Sequence, residues 1–239
     1  MINILLPAMG TSTFFKDSFF PKPLIEIGDT TMLEMVISNF SDIKGRNIIY
    51  IALEEECNQF HLDCSVKLLE KDATVIALKN QTAGALCTSL LAIEYIDNDN
   101  PLIIANSDQI IDVDYNKVIE TFRDKSADAG VIVFTSIHPR WSYVKMEGQE
   151  VVEVAEKRPL SSKAIAGFYF YQRGHDFVEA AKEAILKQNN LDGKYYISAS
   201  YNELILKGKK VMAYEIGKEQ YHSFYSPEKI KEYEKRIKI

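Results

Sequence analysis

Apolar residues fall along this chain in two periods. Short, nearly continuous apolar runs of strand length occur at Ile2–Leu6, Asn47–Leu53, Ala73–Leu78, Pro101–Ala105, Gly130–Thr135, Ala164–Tyr171 and Lys210–Ile216. Runs of this kind read as strands buried on both faces. Between them, apolar residues recur at helical spacing: Met32, Met35, Val36 and Phe40, then Leu86, Leu90, Leu91 and Ile93, then Tyr115 to Arg123, and His175 to about Lys187. Thr31-Met32-Leu33-Glu34 has the pattern of a capping box and predicts a helix from about Thr31 to Asn39. Ser226-Pro227 supplies an N-cap and a first-turn proline for a final helix. Val144–Met146 and Val151–Val154 alternate instead, predicting a two-stranded excursion beyond the core sheet. Strands alternating with helices predict an α/β fold, a mixed and mostly parallel sheet flanked by helices, in one domain spanning residues 1–239.

Composition narrows the function classes. A chain of 239 residues with 46% hydrophobic content can bury one substantial core. The formal charge of −6 argues against a general nucleic-acid binder, which needs a basic face. Cys57, Cys64 and Cys87 have no paired metal-ligand spacing and read as reduced thiols, a Cys57–Cys64 pair being the lesser alternative. No apolar run approaches the ~18 residues of a membrane span. Met1 leads straight into a strand, so no secretory leader and a cytoplasmic location are expected.

Four stretches carry candidate chemistry. After the first strand comes a small-residue loop, Pro7-Ala8-Met9-Gly10-Thr11-Ser12-Thr13, and then Lys22 between Pro21 and Pro23. Small side chains let backbone N–H groups approach an anion, and a lysine anchored between prolines can place a fixed charge beside it. The stretch is equally readable as an ordinary turn with a solvent-facing lysine. Asn80-Gln81-Thr82-Ala83-Gly84 opens a helix where a base and ribose could be touched, or is simply a loop and cap. Pro101-Leu102-Ile103-Ile104-Ala105-Asn106-Ser107-Asp108 ends an apolar strand in a carboxylate, a hard oxygen ligand suited to Mg²⁺ or else a turn residue. Glu156-Lys157 offers a carboxylate for hydroxyls and an ammonium for phosphate, or an exposed charge pair. Asp112-Val113-Asp114 spells the D-x-D of sugar-nucleotide glycosyltransferases, but Asp114 is better placed to cap the helix after it.

The same stretches resemble the nucleotidyltransferases that join an NTP to a sugar 1-phosphate, the NDP-sugar pyrophosphorylases of GT-A-type fold. The matching residues are Pro7-Ala8-Met9-Gly10 with Pro21-Lys22-Pro23-Leu24, then Thr82, Gly84, Thr88, Leu90, Leu91 and Ala92, and Asn106-Ser107-Asp108. Further matches are His138-Pro139-Arg140-Trp141-Ser142-Tyr143 and Glu153-Val154-Ala155-Glu156-Lys157-Arg158-Pro159. The resemblance spans nearly the whole chain. It implies Lys22 and Asp108 as catalytic residues, with Mg²⁺ on Asp108. Ala8, Met9, Gly10, Thr11, Gln81, Thr82, Gly84 and Asn106 are implied at the nucleotide. Tyr143, Glu156, Lys157, Gly167 and Lys194 are implied at the acceptor.

Three departures stand out. Ser12 and Phe14 replace a glycine and the arginine that grips the triphosphate, Lys194 replaces a glutamate facing the acceptor sugar, and Ser223-Phe224-Tyr225 replaces a glycine-bearing segment. A cation at position 194 could suit an anionic acceptor or partly replace the missing arginine. The expected activity is transfer from an NTP, with CTP or UTP expected, to a phosphorylated sugar or polyol with release of pyrophosphate, for surface polysaccharide precursors. The alternatives are a glycosyltransferase consuming an NDP-sugar, or a nucleotide-binding homologue without turnover. Nucleic-acid and membrane partners are not expected, and monomer and homodimer both stay open.

Overall fold

A computed structural model describes residues 1–10 and 12–237 of the chain. The strands are β1 (Ile2–Pro7), β2 (Glu26–Ile27), β3 (Thr30–Thr31), β4 (Arg46–Leu53), β5 (Thr74–Leu78), β6 (Leu102–Ala105) and β7 (Gln109–Ile111). They continue as β8 (Ala129–Thr135), β9 (Ser142–Glu147), β10 (Glu150–Glu156), β11 (Lys163–Tyr171), β12 (Val211–Ile216) and β13 (Tyr221–Ser223). The helices are α1 (Met32–Ser38), α2 (Glu54–Phe60), α3 (Leu62–Leu69), α4 (Ala85–Leu90) and α5 (Ile93–Ile96). After these come α6 (Tyr115–Asp124), α7 (Gly174–Leu186), α8 (Ser198–Leu206) and α9 (Pro227–Ile237).

Nine strands form one sheet in the order β5-β4-β1-β6-β11-β8-β12-β10-β9. The first four are mutually parallel, β11 runs against both of its neighbours, and β8 and β12 pair in parallel. This is the mixed, mostly parallel sheet the pattern predicts. Alternation of side chains across the pleat divides the core between two faces. On β11, Ala164, Ala166, Phe168 and Phe170 enter one cluster, while Ile165, Tyr169 and Tyr171 enter the other. A fully buried side chain the size of Ile165 or Phe168 contributes roughly 1.5–3 kcal/mol relative to exposure, and an alanine well under that.

Local signals act where expected. The Thr31 side chain accepts a hydrogen bond from the Glu34 backbone N–H and caps α1. Asp114 accepts from the N–H groups of Asn116 and Lys117 and caps α6, so it serves the backbone rather than a metal. Two expectations change. The segment expected to run on through Ile93 breaks into α4 and α5, leaving Leu91 exposed between them. The β9–β10 hairpin is no excursion: β10 pairs with β12 at Glu150↔Met212 and β9 touches β11 at Ala164↔Tyr143, so it completes the sheet's edge. All three cysteines are free. Among the described residues no helix is long and apolar enough to cross a membrane.

Candidate active site

The site gathers at the C-terminal ends of β1, β6 and β10, where open α/β sheets leave their ligand crevice. A cavity of about 280 Å³ is lined by Pro7, Ala8, Gly10, Lys22, Asn106 and Asp108, among others. Lys22 sits in a short 3₁₀ turn entered through Pro21, which aims its ammonium across the crevice. Its Nζ lies 2.5 Å from Asp108 Oδ2, and both side chains remain partly accessible. Asp108 is anchored from behind, since its carbonyl accepts a hydrogen bond from the Phe224 N–H at 2.7 Å. The residues expected to perform the chemistry are thus brought together across most of the N-terminal half of the chain.

Gly167 explains how Asn106 is held. Its φ of +60° and a register shift in β11 make room for Asn106, and a Cβ added there would lie 2.2 Å from Asn106 Nδ2. Asn106 then donates to Gln109 Oε1 at 3.1 Å. Gly167, expected at the acceptor, thus packs against Asn106 and Gln109.

A second cavity of about 400 Å³ adjoins the first through Pro7 and Gly10 and is lined by Met9, Gln81, Thr82, Gly84 and Lys194. The hydroxyls of Thr82 and Thr88 share a hydrogen bond of 2.7 Å, tying the loop to the start of α4. Gly84 has φ +124°, and a Cβ there would meet the Tyr195 carbonyl at 2.4 Å. That close approach clamps the Gln81–Gly84 loop to the segment that bears Lys194. Lys194, expected at the acceptor with Glu156 and Lys157, instead lines the cavity of Gln81 and Thr82, the loop expected to read the base. Thr11 lies outside the described residues.

Glu156 lines neither cavity but a separate hollow of about 290 Å³, joined to the second cavity through Tyr196, the residue to which Lys157 is bonded. The Glu156 carboxylate accepts hydrogen bonds from the Ser142 and Ser198 hydroxyls. Burial raises its pKa, while these bonds and the Lys157 ammonium work in the opposite direction. Lys157 adopts φ +53° and donates to the Tyr196 hydroxyl at 2.7 Å, a bond that pushes its pKa upward. Tyr143, expected at the acceptor, offers no side chain to a ligand. It is fully buried and its hydroxyl donates to the His138 carbonyl at 2.6 Å, which leaves only its backbone for a ligand. The D-x-D pair is spent as well: Asp114 caps α6, and Asp112 faces the His222 ring at 2.9 Å.

The family model described as Nucleotidyl transferase matches residues 18–218. This chain belongs to that family. Its fold is also that of a nucleoside-diphosphate-sugar pyrophosphorylase from Vibrio cholerae RC9, with a TM-score of 0.82 at 22% identity over 98% of this chain and 100% of that one. A UDP-glucose pyrophosphorylase complexed with UDP-glucose gives a TM-score of 0.78 at 16% identity over 100% of this chain and 99% of that one. The bifunctional protein GlmU of Thermodesulfovibrio yellowstonii is 23% identical over 91% of this chain, which spans 48% of the length of that relative.

Two further features bear on the site of this nucleotidyltransferase. Phe14, in place of the family's arginine, is 57% exposed and packs edge-on to Tyr225 with ring centroids 5.9 Å apart. Glu56, from the first turn of α2, lines the same cavity as Lys22 and Asp108. Its Oε2 is buried with no hydrogen-bond partner among the described residues, and burial raises its pKa. Sequence reading passed over Glu56 because it sits in an acidic run, Glu54-Glu55-Glu56, that reads as an ordinary helix start.

Proposed function

We propose that this nucleotidyltransferase joins an NTP to a phosphorylated sugar or polyol and releases pyrophosphate. The observation that carries the reading is the Lys22–Asp108 pair at 2.5 Å, set in a cavity that continues past Gly10 to the Gln81–Gly84 loop. One continuous crevice thus offers a place for phosphates beside a place for a base. A phosphate oxygen of the acceptor attacks the α-phosphorus of the NTP, the new P–O bond forms, and the bond to the β-phosphate oxygen breaks. In such a step the protein supplies position and charge, not a covalent nucleophile. Lys22 stabilises the transferring phosphoryl group. Backbone groups of Ala8, Met9 and Gly10 approach the phosphates, and Gln81, Thr82 and Gly84 contact the base. Glu156 accepts hydrogen bonds from acceptor hydroxyls, Lys157 binds the acceptor phosphate, and Asn106 is held in the crevice by its bond to Gln109.

The residues present fit Mg²⁺. The cavity holds two carboxylates, Asp108 and Glu56, with Asn106 and Ser107 beside them, and the Glu56 Oε2 lacks a partner. No group of three or more His, Cys, Asp or Glu suited to a metal occurs among the described residues. A donor set of two carboxylates completed by water and substrate phosphates is the habit of Mg²⁺. Asp108 and Glu56 would hold it, and when bound it neutralises phosphate charge.

CTP or UTP is the expected donor, and a precursor for surface polysaccharide made in the cytoplasm is the expected product. Residues 1–239 are taken as one functional unit. The deciding experiment is pyrophosphate release from each of the four NTPs, crossed with sugar, polyol and amino-alcohol phosphates. Release that needs one NTP and one phosphomonoester together is expected. Nucleotide binding without release under any pairing would replace this reading with a binding protein that has lost turnover, as the absence of an arginine at Phe14 would allow.

A further inference from the structure

A third cavity, of about 520 Å³, opens where β8 hands over to the loop before β9, and β13 and α9 form its opposite wall. β8 runs in the same direction as β6, so this cavity shares an edge of the sheet with Asp108. None of its lining residues lines the two cavities of the active site. It carries four basic side chains, Arg140, Lys218, Lys229 and Arg236, against a single carboxylate, Glu232, in a chain of formal charge −6. A basic concavity with low-dielectric walls on an acidic protein concentrates anions at that point.

Arg140 is the centre of the arrangement. Its guanidinium carbon lies 3.3 Å from the centroid of the Tyr225 ring and 4.8 Å from that of Trp141. Only its backbone N–H takes part in a hydrogen bond among the described residues, donated to His138 Nδ1. A guanidinium held by aromatic rings keeps its planar fork of N–H groups unspent, and that fork matches phosphate oxygens in pairs. Lys218 is exposed and has no ion pair among the described residues, whereas Lys229 is engaged by Glu232 at 2.5 Å. Arg236 is engaged by the Glu219 carbonyl and, at 3.9 Å, by Asp112, which also faces His222, so Arg140 and Lys218 are the two cations left for a ligand among the described residues. The cations come from three separate elements around the cavity, so one phosphate or carboxylate cannot reach them all. A chain of phosphates can. The volume lies within the ~300–1,000 Å³ of small-molecule sites.

We propose that this cavity is a second ligand site that takes a polyphosphate, either free pyrophosphate or the phosphate tail of a nucleotide. It stands apart from the turnover reading, because it uses none of the residues placed in catalysis. The site is nevertheless tied to them. The Tyr221 hydroxyl donates to Gln109 Oε1 at 3.0 Å, the same oxygen that accepts from Asn106, and the Phe224 N–H holds the Asp108 carbonyl.

Trp141 is the only tryptophan of the chain, so its fluorescence reports on this cavity. The full-length protein would be titrated with pyrophosphate, with CTP and with cytidine, in EDTA and without acceptor. A saturable change with pyrophosphate and with CTP, and none with cytidine, is expected. Equal affinities would identify the phosphates as the whole ligand, and tighter CTP would add stacking of the base on the aromatic walls. Arg140→Gln should weaken binding at least ~10-fold, the scale of one charge-assisted paired contact, and Lys218→Ala by a few-fold. Lys22→Ala should leave it unchanged. Because Arg140→Gln also alters the surroundings of Trp141, calorimetry repeats the measurement on that variant. Absence of saturable binding by the parent overturns the proposal. So does binding that survives both Arg140→Gln and Lys218→Ala, or that disappears with Lys22→Ala, since it would then belong to the catalytic cavity.

Discussion

Glu56 and Glu156 are both carboxylates whose pKa is raised first of all by burial, yet they are held in opposite ways. Glu156 is bonded to Ser142 and Ser198, and its neighbour Lys157 is bonded to Tyr196. Glu56 has an oxygen with no partner, and beside it Lys22 and Asp108 have each other. The flank proposed for the acceptor is therefore complete as folded, with the Glu156 carboxylate and the Lys157 ammonium already bonded. The flank proposed for the phosphates is less complete, since one oxygen of the half-buried Glu56 carboxylate has no partner among the described residues. A backbone bond at Leu53 offsets part of the burial, but an unpaired buried oxygen costs free energy until a cation arrives. Preorganisation serves recognition of the hydroxyls and single phosphate of the proposed acceptor, while the unfinished flank is suited to a ligand that brings its own cation.

The contrast is most directly broken at Asp108. Asp108→Asn should lower turnover by at least ~10²-fold, the scale of losing one charge-stabilising group, without change in thermal stability. Turnover equal to the parent would remove Asp108 from the phosphate flank. A sharper form pairs two lysines. Lys22→Ala should lower kcat, whereas Lys157→Ala should raise the KM for the phosphorylated acceptor by about tenfold at similar kcat. Parallel losses in both constants for both variants would mean that the two flanks are not separate. A smaller effect is expected at Lys194, which stands with Gln81 and Thr82. Lys194→Glu should weaken the NTP a few-fold more than Lys194→Ala does, because it sets a carboxylate near polyphosphate. Higher activity of Lys194→Glu on an ordinary sugar 1-phosphate would instead make Lys194 a selector of the acceptor.

Two stability measurements come last, each a matter of a few degrees in Tm. Glu56→Gln should melt at or above the parent without metal and should lose most of the upward shift that Mg²⁺ gives the parent. An undiminished shift would take Glu56 out of the cation site. For Glu156, the folded-state pKa is raised above the unfolded value, so the folded protein binds the extra proton between the two. The stability this group contributes is then present below the unfolded value, about 4.3, and is lost as pH rises through the raised folded value. Glu156→Gln should therefore gain on the parent as pH climbs from that window to neutrality. A pH-independent difference would show that the serine bonds already offset the burial.

Much of this site could be read in the chain before the fold. Lys22 between prolines and Asp108 at the end of an apolar strand are local signals, and their meeting follows from β1 and β6 being neighbours. Glu156 and Lys157 stood out as a pair at the end of an alternating run. Tyr143 was legible only in part, since its alternation with Val144 and Lys145 does not tell which face of the hairpin is covered. Glu56 was not legible, because an acidic first turn is what any helix start prefers. Arg140 lay inside a recognised motif, but its role depends on Tyr225, far along the chain.

By itself, the sequence determined the strands of the main sheet and most of the helices, the mixed α/β architecture and the strand-end positions of the chemistry, because periodicity, caps and turns act over a few residues. The short strands β2, β3, β7 and β13 carry no such local signal. Tertiary structure alone decided which groups have partners. The order β4-β1-β6 brings Glu56 to the cavity of Asp108, and the return of β13 beside β7 sets Tyr221 and Tyr225 against Trp141 and Arg140. Whether a buried carboxylate is satisfied, or a guanidinium left unspent, depends on neighbours chosen by sheet order and not by distance along the chain. The same side chain in the same local pattern can therefore be a solvated surface charge or half of a binding site.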